Sequence, residues 1–196
     1  MPRSAEATWR RIIDAAYRAF RRRGYSRIGV DDIAAAARVT KRTLYYHFKS
    51  KDALLAAVLE SQYNHVAIGF DALNKSSSND AGAIIAGIFT GLTEWASGPR
   101  WSASGFTRVA MELADLPGHP ARVIAKRHKA HMEKHLATMF SDCGVAAARE
   151  LAREVWLLAE GAMIMILIHG DVRYSDAAAA AARKLLAASG RKRRGK

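Results

Sequence analysis

Val39-Thr40-Lys41-Arg42-Thr43-Leu44-Tyr45-Tyr46-His47-Phe48-Lys49-Ser50-Lys51 places two kinds of side chain at helical spacing. Leu44 and Phe48 stand four apart, which gives a short helix one apolar side. Lys41, Arg42, Thr43, Tyr45, Tyr46 and His47 fill the remaining positions with hydrogen-bonding groups. Thr40 supplies a hydroxyl that can N-cap a helix from Lys41 to Phe48. Just upstream, Val30 to Arg38 has the pattern of a two-turn helix, with Asp31 and Asp32 at the positive end of its dipole. Two short helices joined by a tight turn make a unit in which the second fits the major groove of DNA and the first braces it. Ile33, Ala34, Ala37, Val39, Leu44 and Phe48 can form the small core of such a unit. The exposed donors are of the kind that reach phosphates and base edges. Lys51, opening the next helix, adds a further phosphate-binding charge beside that helix's free N–H groups.

Charge follows the same division. The 196 residues carry a net charge of +13, but the excess is not spread evenly. Residues 1–60 hold 13 Lys/Arg against 6 Asp/Glu, whereas residues 61–182 hold 11 against 12. The segment 183–196 adds seven basic residues and no acidic one. A basic N-terminal module beside a near-neutral body implies a polyanionic partner for the module alone. No apolar run reaches the length of a membrane span, and no signal peptide is visible at the N-terminus. Cys143 is the single cysteine, so no internal disulfide forms, which fits a reducing, cytoplasmic setting.

Working outward, apolar residues recur at three and four, and strand signals are weak. Trp9, Ile12, Ile13, Ala16, Tyr17 and Phe20 share one face of a helix expected over 5–22, stopped by Gly24. Ser50 can cap a helix over 51–73 with Leu54, Leu55, Val58, Leu59 and Tyr63 as its stripe. A loop at 76–80 follows, then helical patterns over 81–97, 102–115, 120–141, 145–169 and 174–189. The expected architecture is all-α, with about nine helices: an N-terminal three-helix helix-turn-helix domain (1–50), a helical effector-binding and dimerisation domain (51–189) and a basic disordered tail (190–196).

The run Ile33-Ala34 through Ala37-Arg38-Val39-Thr40 to Lys51-Asp52-Ala53-Leu54 resembles the DNA-binding signature of the TetR family of transcriptional regulators. Ala15-Ala16, Phe20 and Gly24-Tyr25 resemble the family's first helix and its exit. The resemblance implies that Thr40 caps the recognition helix. It also implies that Lys41, Arg42, Thr43 and Tyr45 face base edges or nearby phosphates, and that Tyr46, His47 and Lys51 clamp the backbone. Three positions depart from the family pattern: Arg38 where glycine is usual at the turn, Gly29 where a hydroxyl residue usually starts the second helix, and Asp31 near the expected DNA surface.

For the body, the resemblance implies a homodimer whose last two helices pair into a four-helix bundle. Leu151, Val155, Leu158, Ala162, Met165 and Ile166, with Leu185 and Leu186, are the expected interface; an intramolecular core is the competing account of the same stripe. The middle helices are expected to enclose a small apolar or aromatic effector, with Phe89, Trp95, Trp101, Phe106, Met111, Met132, Phe140, Trp156 and Met163 as candidate walls. The implied activity is repression from a double-stranded, pseudo-palindromic operator, relieved by that effector.

His128, His131 and His135 share one expected helix face, with Glu112 or Asp115 near, a set of the type that binds Zn²⁺ or Ni²⁺. Two helical turns separate His128 from His135, roughly 10 Å, too far for one ion. Pocket lining or an exposed face are the alternatives, and neither a metal nor a cofactor is expected. No nucleophile motif, glycine-rich phosphate loop or paired carboxylates point to an enzyme. A basic protein coating DNA without sequence preference is the remaining competitor; the near-neutral body of some 120 residues argues against it.

Overall fold

The computed structural model describes residues 2–76, 79–99 and 101–190, with side chains from residue 4 onward except over 65–76. Ser77 and Ser78 of the expected loop, and the tail beyond Gly190, lie outside the described residues. Nine helices are found among them: α1 (Pro2–Arg23), α2 (Val30–Ala36), α3 (Lys41–His47), α4 (Lys51–Ser76), α5 (Ala81–Ala96), α6 (Gly105–Glu112), α7 (Pro120–Asp142), α8 (Ala148–His169) and α9 (Arg173–Ala188). No helix of the described residues is long and apolar enough to cross a membrane.

The chain divides into two compact units, Met1–His65 with Gly105–His128, and Val66–Ser104 with Lys129–Lys196. The first unit therefore takes in α6 and the start of α7 as well as the three N-terminal helices. Its core joins Ile12, Ile13, Ala16 and Phe20 of α1 to Ile33, Leu44 and Phe48, and these to Leu54, Leu55 and Val58 of α4. Phe106, Val109, Leu113 and Ile124 close it from the later segment. Each fully buried aliphatic side chain contributes about 1.5–3 kcal/mol of transfer free energy.

The second core is built from Ile84, Ile85 and Phe89 of α5, Leu136, Met139 and Phe140 of α7, and α8. Ala178, Ala179 and Ala182 bring α9 against it, as their small side chains permit close approach. Ser175, fully buried, satisfies its hydroxyl by donating to the Phe89 carbonyl at 2.8 Å.

Helix ends follow local chemistry. Gly24 at φ +83° and Gly170 at φ +68° take the left-handed conformation that stops α1 and α8. Asp80 caps α5, its carboxylate accepting from Gly82 N at 2.8 Å. Two expected boundaries move inward. α6 begins at Gly105 rather than 102, because Ala103 sits at φ +57°. α8 begins at Ala148 rather than 145, because Gly144 turns at φ +78°.

Four of the expected interface residues lie in a core of the single chain, as the competing account of that stripe has it. Leu151 and Val155 have no exposed surface, and Ala162 and Ile166 are 5% and 2% exposed, all inside the chain's own second core. They pack with α5 and α9 in that core. Leu158, Leu185 and Leu186 are partly buried against that core, and Met165 is half-buried. The apolar residues that α8 leaves exposed are Leu157 and Ile168, each 66% exposed, and Leu167 at 42%.

Candidate nucleic-acid interface

The interface is set by how α3 is held. Leu44, with no exposed surface, and Phe48, at 5%, anchor it. Trp9 of α1 meets the Phe48 ring at 6.1 Å between centroids. Thr40 is the N-cap: its Oγ1 accepts from Thr43 N at 3.0 Å and lies 2.8 Å from the Thr43 hydroxyl. With one side buried, α3 turns Lys41, Arg42, Tyr45 and Tyr46 outward, Tyr46 at 84% and Tyr45 at 43% exposure. His47 is half-buried and meets the Tyr46 ring edge-on at 5.4 Å. These groups are presented together, on seven residues too short to be helical alone.

All three departures from the family pattern have a structural counterpart. Arg38 adopts φ +54°, so a side-chain-bearing residue occupies the left-handed turn between α2 and α3. That position is why α2 ends at Ala36, short of the expected Arg38. Gly29 is the α2 N-cap; it offers no side chain, and Asp32 alone reaches back, accepting from Gly29 N at 3.3 Å. Asp31 pairs with Lys41 Nζ at 3.0 Å, and this hydrogen bond raises the Lys41 pKa above the ordinary lysine value. Asp31 thus occupies one cation of the outward face.

Replacing Arg38 tests the turn. Arg38→Gly relieves left-handed backbone crowding but adds freedom to the unfolded chain, leaving a net stabilisation of roughly 0.5–1 kcal/mol. A rise in the thermal midpoint is expected; an unchanged or lower midpoint would contradict the left-handed assignment.

Lys51 stands at the start of α4, its Nζ 4.3 Å from the Tyr25 ring centroid. Partial burial lowers its pKa from the ordinary lysine value, against the opposing pull of Glu112 and Asp52. The Tyr25 hydroxyl donates to Asp52, and Asp52 approaches His119 Nε2 at 3.4 Å. Burial first, then the Asp52 bond, pushes the Tyr25 phenol well above its ordinary pKa. Glu112 closes this network: its carboxylate accepts from Tyr25 N at 2.9 Å and Ser26 N at 2.7 Å. Partial burial disfavours the Glu112 anion, but those two backbone donors and the Arg108 charge outweigh it and lower its pKa. The sequence carried no local sign of this clamp, which joins positions 86 and 87 residues apart. Glu112 is therefore committed to the α1–α2 turn.

The histidines separate. His128 is buried at 3% exposure, stacked on Phe106 with centroids 3.8 Å apart and edge-on to Tyr63 at 5.3 Å. His131 is exposed and stacks with His135 at 6.3 Å. Among the described residues no group of three His, Cys, Asp or Glu is placed to hold a metal ion.

The candidate effector walls separate as well. Phe89, Phe140 and Met163 are in the second core, Met132 is fully buried, and Trp101 packs against that core. Trp95, 43% exposed, meets Trp101 edge-on at 4.7 Å. Trp156 is half-buried beneath Lys129 Nζ at 5.5 Å. Phe106 and Met111 belong to the first unit, where Phe106 packs on His128 and Met111 stands 65% exposed.

These features define a helical protein with a capped, donor-bearing helix-turn-helix. Residues 12–58 match the model of the bacterial regulatory proteins of the tetR family. The likeness to the tetR-family regulators in sequence lies in this N-terminal DNA-binding segment. The A-factor receptor protein of Streptomyces griseus is 44% identical over 62 residues, 32% of this chain and 22% of that one. The HTH-type transcriptional regulator TtgR of Pseudomonas putida is 42% identical over 66 residues, 32% of this chain and 31% of that one. These matches span less than a third of either relative's length. Over the whole molecule, SCO4454, a TetR-family regulator of Streptomyces coelicolor, superposes with a TM-score of 0.85 at 23% identity. That superposition covers 94% of this chain and 96% of the other, and the likeness is one of fold.

Proposed function

We propose that this chain is a DNA-binding transcription regulator, acting as a homodimeric repressor that a small apolar or aromatic effector releases from a pseudo-palindromic operator. The observation that carries the proposal is α3. A Thr40-capped helix, pinned by Leu44 and Phe48, turns Lys41, Arg42, Tyr45 and Tyr46 outward on a basic head. In this reading Arg42, with Lys41, Thr43 and Tyr45, reaches base edges or nearby phosphates, while Tyr46, His47 and Lys51 hold the backbone. Residues 1–50 carry DNA recognition, residues 51–189 carry effector binding and self-association, and the tail over 190–196 adds basic charge.

Asp31 is the local test of this surface. An exposed ion pair contributes little stability, so Asp31→Asn leaves the fold intact and frees Lys41. DNA affinity is expected to rise several-fold with a steeper salt dependence, by about one further phosphate contact per head. Unchanged or weaker binding in fluorescence anisotropy would remove Lys41 from the interface.

For self-association, the exposed apolar residues of α8 offer a face. Leu157, Gly161, Leu167 and Ile168 are exposed, and a Cβ added at Gly161 meets nothing within 4 Å. An exposed apolar face of this kind suits a second copy, and a C2 pair would present two recognition helices to two half-sites. Leu157→Glu is expected to give a folded monomer in sedimentation at micromolar concentration; a persistent dimer would place the interface elsewhere. For the effector, Trp95 and Trp101 offer aromatic faces, and the buried Trp101 Nε1 has no hydrogen-bond partner among the described residues. An aromatic molecule bearing one acceptor would satisfy both.

A further inference from the structure

We propose that Arg22, Arg23, Arg27 and Arg108 form a cleft that binds a small polyphosphate, at a place separate from the recognition helix. These four side chains, with Gly24 and Glu112, line a cleft of about 600 Å³ within the first unit. The local sequence explains the convergence. α1 closes on Arg21-Arg22-Arg23, Gly24 reverses the chain at φ +83°, and Arg27 follows in the connection to α2. α6 delivers Arg108 and Glu112, four residues apart and so on one face.

The α6 wall is fixed. Arg108 Nη1 donates to the Arg21 carbonyl at 2.9 Å. Glu112 is held by the Tyr25 and Ser26 amides, and a Cβ at Gly24 would come within 3.2 Å of Glu112 Oε1. Arg22, Arg23 and Arg27 are exposed, and none makes an ion pair among the described residues. Four guanidiniums therefore meet one carboxylate that already serves two backbone donors. The negative end of the α1 dipole, equivalent to about half a charge, offsets only a fraction of this excess.

Guanidinium forks match phosphate oxygens two at a time, so several of them outnumber the needs of a single phosphate. A concave site of this size suits a compact pyrophosphate group or the phosphate tail of a nucleotide better than a duplex backbone. The cleft also lies away from the end of α1 that supports α3. Trp9 contacts Phe48, and Arg22 follows Trp9 by about 20 Å along the helix axis at ~1.5 Å per residue.

The test is calorimetric titration of the full chain with inorganic pyrophosphate at about 0.15 M salt, where weak surface attraction is screened. ATP, sulfate and a short DNA duplex serve as parallel arms. Pyrophosphate is expected to bind more tightly than sulfate, and the exposed pair Arg23→Ala/Arg27→Ala to weaken it by at least about tenfold with an unchanged melting curve. Arg42→Ala is expected to leave it intact. ATP binding that falls with pyrophosphate binding in the double variant supports the cleft and extends its ligand to nucleotides. No heat with pyrophosphate up to about 1 mM, or equal loss in Arg42→Ala, overturns the proposal. A double variant that loses duplex affinity alone also overturns it, assigning the arginines to a DNA backbone. Because pyrophosphate is titrated without DNA, its outcome is independent of whether α3 reads an operator.

Discussion

Leu44→Ala is expected to destabilise the first unit by about 3 kcal/mol and to abolish DNA binding at temperatures where the parent chain binds. Leu44 has no exposed surface and is the only fully inward residue of α3 besides its C-cap Phe48. Truncating a leucine in such a site removes its transfer free energy and leaves a cavity, at a cost of about 2–5 kcal/mol. A helix of seven residues holds its place by packing and not by propensity. Losing that anchor therefore frees the whole donor surface at once. Urea unfolding followed by circular dichroism measures the first effect, and anisotropy on a DNA duplex the second. Tyr46→Ala is the matched control: at 84% exposure it should change stability by no more than about 0.5 kcal/mol while weakening DNA binding. If Leu44→Ala were as stable as the parent, α3 would not be packed as described.

The second large effect is electrostatic. The variant Lys41→Ala/Arg42→Ala/Lys51→Ala is expected to lose roughly a thousandfold or more in DNA affinity, and its log affinity against log salt slope should fall by about 0.9 for each phosphate contact removed. The three cations differ in setting, so their single variants should differ too. Lys41 shares its charge with Asp31, Lys51 lies over the Tyr25 ring, and Arg42 is exposed. Lys51→Ala is expected to weaken all duplexes alike, whereas Arg42→Ala relaxes preference at one base position by about 1–3 kcal/mol. A triple variant with unchanged salt dependence would place the phosphate contacts outside α3 and the start of α4.

How much of this was legible in the sequence depended on the range of the interactions. The helix-turn-helix was legible because its parts are local. Thr40 caps a helix three residues away, Leu44 and Phe48 repeat at four, and the unusual Arg38 sits at the turn and does adopt positive φ. The expected α8 interface kept a competing account in the sequence because that helix is apolar on more than one side. Periodicity marked Leu151, Val155, Ala162 and Ile166 as a stripe but could not tell self-packing from pairing, and α5 and α9 bury them. His128 looked like a partner of His131 because both recur at helical spacing. The Phe106 ring, more than twenty positions upstream, takes it into the core instead. Glu112 and the Arg22–Arg108 cleft were invisible for the same reason: each depends on α6 meeting the end of α1, a contact that no short window contains.

Selection of bound duplexes from a random DNA pool, at one fixed salt concentration, tests most directly whether α3 reads base sequence. The parent chain is expected to enrich a single inverted repeat. Arg42→Ala should enrich the same repeat with one position relaxed in each half-site. Enrichment of no sequence above the starting pool, with tight binding throughout, would contradict the account and leave the basic head as a nonspecific DNA coat.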